Sequence, residues 1–549
     1  MATAPPLQPD LPAAALSRRR LRGPERGVGW HLVALTIAMP ALAVLLVVAT
    51  ALLQPDGEVW AHLSAHVLPR ASWNTLWLVL GVGLGVSVLG TGLAALVALC
   101  EFPGRAFFAW ALLLPLAVPA YVLATVYIGL FDYAGPLQTL LREHLPRIPS
   151  IEIRNRWGVL AVLVLALYPY VYLVVRNALA SQGARLMEVA RLLGHRPGQA
   201  FRRAALPLAL PWIGGGTLLA MMETLADFGA VAAFNYDTLT TAIYRTWYGL
   251  FSISGALQIA AVLLLFVLAL LALEQRARAG QGFFALGAAP VQRRRLGPRG
   301  AWLATLTCGL VWLLSFALPV SQLLLWAIRE IDSLDRRYWL LAANSLQLAL
   351  GAALLLPALA LALSWAQRRA PSAVMGWLAR LATLGYAMPG ALLAVAFFAA
   401  AGALLKVSPG LAGLLRGSIL LLLIAYAVRF LAVAATPING AALRLKPSIE
   451  EAARNLGISG FRLFLRVHLP LLRGGVLTAA LLVFVDVMKE MPITLMTRPF
   501  GWDTLAVRIF EFTTEGQWQR AALPALAIVA VGLLPTYWLH RGSEHAPLS

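Results

Sequence analysis

Runs such as Trp30 to Leu53, Trp73 to Leu99 and Ile259 to Leu273 carry almost no charge. They approach or exceed the roughly 20 residues that take a helix across a bilayer. In lipid every backbone N–H and C=O must find its partner inside the segment, which leaves helices and closed barrels as the options. Continuous apolar runs, without the alternation of barrel strands, select helices. The whole chain of 549 residues is 60% hydrophobic and 12% charged, against about 25% charged in soluble domains. The expected fold class is therefore all-α, a polytopic helical membrane protein. About twelve spans are predicted, near 30–53, 73–99, 106–130, 157–177, 209–230 and 252–274, then 301–327, 341–366, 376–402, 413–435, 472–492 and 519–539.

A net charge of +20 raises the question of nucleic acid, but the placement of arginine answers it. Arg18, Arg19, Arg20, Arg22 and Arg26 precede the first span. Arg176, Arg185, Arg191, Arg196, Arg202 and Arg203 crowd one later connection, Arg276 to Arg299 the central one, and Arg444 to Arg473 another. Alternation between successive connections is the positive-inside pattern. It puts the N-terminus and these loops on the cytoplasmic side, and no soluble basic domain is left to bind nucleic acid. The first apolar run is too long for a signal-peptide core and reads as an uncleaved span. Cys100 and Cys308 form neither a CxxC pair nor a disulfide framework.

The chain is written twice. Glu188-Val189-Ala190-Arg191-Leu192-Leu193-Gly194 returns as Glu451-Ala452-Ala453-Arg454-Asn455-Leu456-Gly457, 451 − 188 = 263 residues later. Pro207 and Pro470 follow the two glycines at one spacing. Asn74-Thr75-Leu76 matches Asn344-Ser345-Leu346, Pro119 matches Pro389, and Asp237-Thr238-Leu239 matches Asp503-Thr504-Leu505. Six spans per half is an even number, so both copies share one orientation, unlike inverted repeats. The expected organisation is a disordered basic cytoplasmic tail over 1–28, a first transmembrane half over 29–274, a linker over 275–300 and a second half over 301–549. Each repeated loop reads as a short helix, a glycine stop and a proline entering the next span.

The duplicated loop resembles the cytoplasmic EAA loop of permeases in binding-protein-dependent ABC importers. Glu188, Ala190, Gly194 and Pro207 match in the first copy, and Glu451, Ala452, Ala453, Gly457 and Pro470 in the second. Val189 departs from the motif, which would make the two dockings unequal. The resemblance implies the type I importer permease fold, with each loop a coupling helix seated in an ATP-hydrolysing partner. Stretches Glu223 to Gly249 and Asp486 to Leu505 are similar to the fused, two-loop permeases of ferric iron importers. That implies Fe(III) as substrate, a periplasmic binding protein, a homodimeric cytoplasmic ABC ATPase and a location in the bacterial inner membrane with both termini cytoplasmic. Thiamine, phosphonate and polyamine permeases are relatives and give the alternative substrates. No cofactor is implied.

The chain lacks the Gly-Lys of a P-loop, since its lysines, Lys406, Lys446 and Lys489, follow Leu405, Leu445 and Met488. It reads as a transport subunit without its own ATPase site. GxSxG, HExxH and paired metal spacings are missing from the sequence, so a membrane enzyme is disfavoured. An ion-coupled secondary transporter would suit buried acids but leaves the duplicated loops unexplained.

Charges inside spans are costly and point to function. Glu223 and Asp227, four apart, are expected on one helix face, with Asp486 and Glu490 their counterparts 263 residues on. These acids are candidates for a substrate pathway, carboxylate oxygen suiting a hard cation. The competing reading makes them a gate or structural, neutralised by Lys489, Arg245 or Arg508. No stable metal site is expected. His195 and His468 read as interfacial, as do Tyr121, Tyr127 and Tyr133. The segments 235–249 and 498–516 are expected to line a vestibule beneath the binding protein.

Overall fold

The computed structural model describes residues 27–53, 57–144, 150–183, 187, 189–190, 192–278, 293–410, 413 and 417–544. All but the last two residues of the expected tail, most of the expected linker, Glu188, Arg185 and Arg191 lie outside them. Among the described residues ten helices are long and apolar enough to cross a membrane, or eleven when the bent pair 373–387 and 390–405 counts as one. Arg105–Ala117 and Ala522–Pro535 are shorter apolar stretches. Against the twelve spans expected, the ninth is the bent pair and the twelfth is represented only by the shorter Ala522–Pro535.

The third and ninth expected spans are broken rather than straight. Pro119 and Pro389 sit just before their helices with φ/ψ of −58°/144° and −58°/143°. Val118 and Met388, directly before them, are extended. Proline lacks a donor N–H and pushes the preceding residue out of helical geometry. In the second half the two legs meet at 117°.

In chain order the first half comprises α1 (Gly27–Leu53), α2 (Leu68–Leu99), α3 (Arg105–Ala111), α4 (Ala120–Phe131), α5 (Arg156–Ala178), α6 (Leu206–Ala226), α7 (Gly229–Ala233), α8 (Leu239–Gly249) and α9 (Ile253–Arg278). The second comprises α10 (Pro298–Trp312), α11 (Leu318–Arg329), α12 (Arg336–Arg369), α13 (Ala373–Thr383), α14 (Gly390–Val407), α15 (Ile419–Ala442), α16 (Pro447–Asn455), α17 (Leu469–Met488), α18 (Pro492–Thr497), α19 (Leu505–Thr514) and α20 (Ala522–Glu544). Among the described residues one strand pair, Cys100–Glu101 with Arg294–Arg295 in parallel, ties the end of the linker to the first half.

Each half is built on three mutually packed helices, α2, α5 and α6 in one and α12, α15 and α17 in the other. Small residues allow the approach, as in other membrane helix pairs. A Cβ on Gly90 of α2 would fall 2.8 Å from Val171 Cβ and 3.0 Å from the Tyr168 carbonyl of α5. The repeated polar motifs turn out to hold one another. Asn74 Nδ2 donates to the Asp237 carbonyl (2.9 Å), and Thr75 Oγ1 accepts from Leu239 N (3.0 Å). Asn344 Nδ2 donates to the Asp503 carbonyl (3.1 Å), and Ser345 Oγ accepts from Leu505 N (2.8 Å). Each motif thus fastens the start of α8 or α19 to the top of a core helix.

The halves interlock. α1 packs against α12, α13 and α14 of the other half as well as α9. Its stripe of Ala34, Ala38, Ala41, Val44 and Val48 is buried. Reciprocally, α10 and α11 pack on α3 and α4, and Tyr127 on α4 donates to the Leu314 carbonyl (2.7 Å). Tyr121 and Tyr127 are therefore core residues, correcting their assignment to the interface, while Tyr133 is exposed.

Candidate functional site

The two repeated loops fold alike wherever both are described. Gly194 and Gly457 have φ of 82° and 77°, the left-handed conformation that glycine tolerates at a helix end. His195 N donates to the Ala190 carbonyl (3.1 Å), and Ile458 N to that of Ala453 (2.9 Å). Ala190 and Ala453 are buried, whereas Leu192 is 88% exposed and Leu456 79%. Glu451, Ala452 and Val189 also face outward. Each loop thus offers apolar side chains to whatever covers it.

Pro207 and Pro470 stand in the first turn of α6 and α17, as the sequence predicts, but these helices do not begin from a loop. Helical chain already runs from Pro197 and from Gly460, and a π-helical turn, Phe201–Ala205 or Phe464–His468, stands directly before each Leu-Pro pair. The same device precedes Pro69 and Pro319, at Leu63–Val67 and Leu313–Ala317. The wider turn makes room for the ring and its missing hydrogen bond.

The second loop is pinned through Glu450, Arg368 and His468, which have no charged counterparts in the first half. Glu450 meets Arg368 (3.3 Å), Arg454 (3.2 Å) and His468 (3.4 Å). His468 is buried edge-on to Trp365, 4.6 Å between ring centroids, so it is no interfacial residue. Matching positions in the first half are Met187, Ala98 and Ala205 (450 − 263, 368 − 270 and 468 − 263).

Away from the loops, the proline breaks and the ends of α6 and α17 surround a cavity of about 260 Å³. All four acids singled out by sequence line it, together with Tyr121, Tyr170, Tyr386, Arg429 and Lys489. Their roles divide. α6 ends at Ala226, so Asp227 leaves the helix face it was expected to share with Glu223. Asp227 Oδ1 accepts from Val231 N (3.1 Å) and caps α7. Glu490 accepts from Ile493 N (3.0 Å), Thr494 N (3.1 Å) and the Thr494 hydroxyl (2.9 Å), capping α18.

Glu223 and Asp486 stay on their helices. Glu223 Oε1 accepts from the Tyr386 hydroxyl at 3.0 Å, and Asp486 pairs with Lys489 at 2.8 Å. Of the three cations expected to neutralise these acids only Lys489 does so. Arg245 binds Asp237 and Arg508 binds Glu511, because both arginines stand on the short helices beyond the cavity. Arg429 donates to the Met388 carbonyl freed by the proline break (2.8 Å). A lone arginine midway through an apolar span carried a legible signal. Tyr386 and Tyr170 carried none, since no spacing links them to Glu223. Among the described residues no group of three or more His, Cys, Asp or Glu is placed to hold a metal ion.

Beyond the acids, Phe228 and its counterpart Met491 are buried. The Phe228 ring lies 5.3 Å from Tyr244 and 5.5 Å from Phe510 of the other half. Tyr248 donates to the Met496 carbonyl (3.3 Å), and Trp247 packs on Phe398 at 4.8 Å. The segments 235–249 and 498–516 therefore join the halves on this side. α6 packs on α2, α5 and α9, and α17 on α12, α15 and α20.

Two pseudo-equivalent halves, two matching loops and one central cavity agree with the comparisons. The family described as binding-protein-dependent transport system inner membrane component matches residues 87–278 and 358–546. The chain belongs to that family. It is a membrane permease component of a binding-protein-dependent ABC import system, a non-catalytic subunit that works with a cytoplasmic ATPase and a periplasmic binding protein. Similar proteins include the Fe(3+)-transport system permease protein FbpB 2 of Haemophilus influenzae, 30% identical over 475 residues, 85% of this chain and 89% of that one. The probable ABC transporter permease protein y4fN of Sinorhizobium fredii is 25% identical, covering 84% and 85%. The sulfate transport system permease protein CysW of Escherichia coli is 28% identical over 259 residues, 45% of this chain and 86% of that one. The last match spans about one half of this chain, as a duplicated architecture requires.

Proposed function

We propose that this permease passes Fe(III) from its binding protein to the cytoplasm, with Glu223 and Asp486 as the acids that meet the cation in transit. The observation that carries this reading is their convergence. Equivalent positions on α6 and α17 bring two carboxylates to one cavity, with the Tyr386 phenol on one of them. Hard trivalent cations prefer such oxygen donors. The likeness to an Fe(3+)-transport permease over most of the chain supports the same substrate. A sulfate reading draws on Lys489 and Arg429 at the cavity, but both donate to protein oxygens there and the acids outnumber them.

The loops supply the drive. In this reading Glu188, Ala190, Gly194 and Pro207, with Glu451, Ala452, Ala453, Gly457 and Pro470, form two cytoplasmic coupling elements on a homodimeric ATPase. Exposed Leu192 and Leu456 are the apolar contacts that such docking would cover. In the same reading the N- and C-termini are cytoplasmic, in the bacterial inner membrane. In this reading Phe228, Tyr244 and Phe510 meet on the side that faces the binding protein.

Glu223→Gln combined with Asp486→Asn should cut iron uptake at least tenfold, while membrane insertion and ATPase assembly persist. Uptake of radiolabelled iron and of sulfate is measured side by side in cells carrying the binding protein. Normal iron uptake by the double variant would reject these acids, and sulfate uptake in place of iron would reject the substrate. Cysteines placed at 188 and 451 should crosslink to the ATPase.

A further inference from the structure

The two sides of the cavity are not chemical equals. Where the second half has Lys489, Arg429 and Tyr386, the first has Ala226, Ala166 and Leu116 (489 − 263, 429 − 263 and 386 − 270). Both cations at the cavity thus come from one half. They differ in freedom. Arg429 donates one guanidinium nitrogen to the Met388 carbonyl. Lys489 closes the end of α17 and reaches back three residues to Asp486, its own carbonyl accepting from the Tyr121 hydroxyl (3.3 Å). Its ammonium also lies in the field of Glu223. Because Lys489 and Asp486 stand on one helix end, the ammonium follows that carboxylate through any movement of α17.

On the reading that this cavity passes a trivalent cation, we infer that Lys489 is a tethered counter-ion that keeps the site from holding its cargo. A path must bind its ion well enough to admit it and weakly enough to release it. Carboxylates converging on a small cavity would bind a hard trivalent ion as a trap. An unpaired acid there is also costly when the cavity is empty. The Lys489 ammonium addresses both conditions. It occupies Asp486 in the empty state, yields to a more highly charged ion, and on its return weakens the grip on that ion. Lys489 is thereby a residue that sets affinity and rate, not a donor to the cargo.

The test uses the full permease assembled with its ATPase in nanodiscs and Tb³⁺ as a hard trivalent probe. Tyr386 and Tyr170 line the cavity and would sensitise its emission. Lys489→Gln, whose amide can still donate to Asp486, should bind Tb³⁺ at least tenfold more tightly than the unchanged protein. That gain should vanish when Glu223→Gln and Asp486→Asn are added. Lys489→Arg, which keeps the charge and adds donors, should bind no more tightly than the unchanged protein, so the proposal stays falsifiable if the glutamine variant fails to assemble. In proteoliposomes Lys489→Gln should turn over iron more slowly while retaining more of it after washing. Equal or weaker Tb³⁺ binding by Lys489→Gln, or tighter binding by Lys489→Arg, overturns the inference. If uptake still depends on Glu223 and Asp486 in that case, the pathway reading stands and only the role of Lys489 falls.

Discussion

Four acids at one cavity do two kinds of work, and position on the backbone decides which. Asp227 and Glu490 fall just past the ends of α6 and α17, where the next short helices present free N–H groups. Capping interactions of this sort contribute about 1 kcal/mol each, and more for a charged acceptor. Glu490→Ala should therefore lower stability by about 2 kcal/mol and Asp227→Ala by about 1 kcal/mol. Glu490→Gln should retain most of it, by thermal unfolding in detergent. Glu223→Gln removes no cap, so it should unfold near the unchanged protein while transport falls. Spacing in the sequence paired Glu223 with Asp227; it could not show the helix ending between them. A further residue-scale effect lies beyond the membrane. Burial pushes the Glu511 carboxyl up, but hydrogen bonds from Arg508 and Arg498 (2.8 and 2.9 Å) outweigh it and leave it below its usual 4.5. A depressed carboxyl contributes stability that is fully present above its unfolded value and is lost as pH falls through the folded one. Glu511→Gln should thus be less stable than the unchanged protein above pH 4.5, with the gap closing in more acid solution.

At the scale of the element, Val189 already predicts unequal loops from the sequence, and the fold adds a second inequality at Glu450. Gly194 and Gly457 stop both helices in one conformation, which the sequence shows because only glycine takes it freely. The anchoring of the second loop depends on Arg368, 82 residues before Glu450, and on His468 beyond the loop. No local pattern encodes it. Such partly exposed pairs contribute about 1 kcal/mol or less each. Glu450→Ala should loosen α16, raising the ATP hydrolysed per substrate transported about twofold, as measured by coupled ATPase and uptake assays. The equivalent change at Met187 should leave that ratio unaltered, because Met187 carries no carboxylate to anchor such a network.

For the whole molecule, the first helix of each half packs on the other half. Neither half then buries its own surface alone, although the sequence marks two repeats. A chain cut between residues 278 and 293 should yield two polypeptides that co-purify when made together. Deleting residues 27–53 should instead destabilise the second half, by uncovering the faces of α12, α13 and α14. Protease sensitivity of residues 336–407 checks this.

The membrane class, the duplication, the loop motif and the four acids were all legible in the chain, because hydropathy, glycine conformation and the cost of buried charge are local properties of residues. The break of two spans at Pro119 and Pro389 was half legible, since proline in a membrane helix is tolerated until packing chooses otherwise. Only the tertiary structure decided that Tyr386 meets Glu223, that Arg429 serves the Met388 carbonyl, and that the halves exchange their first helices. Those are contacts between residues 41 to several hundred positions apart, and distance along the chain carries no record of them.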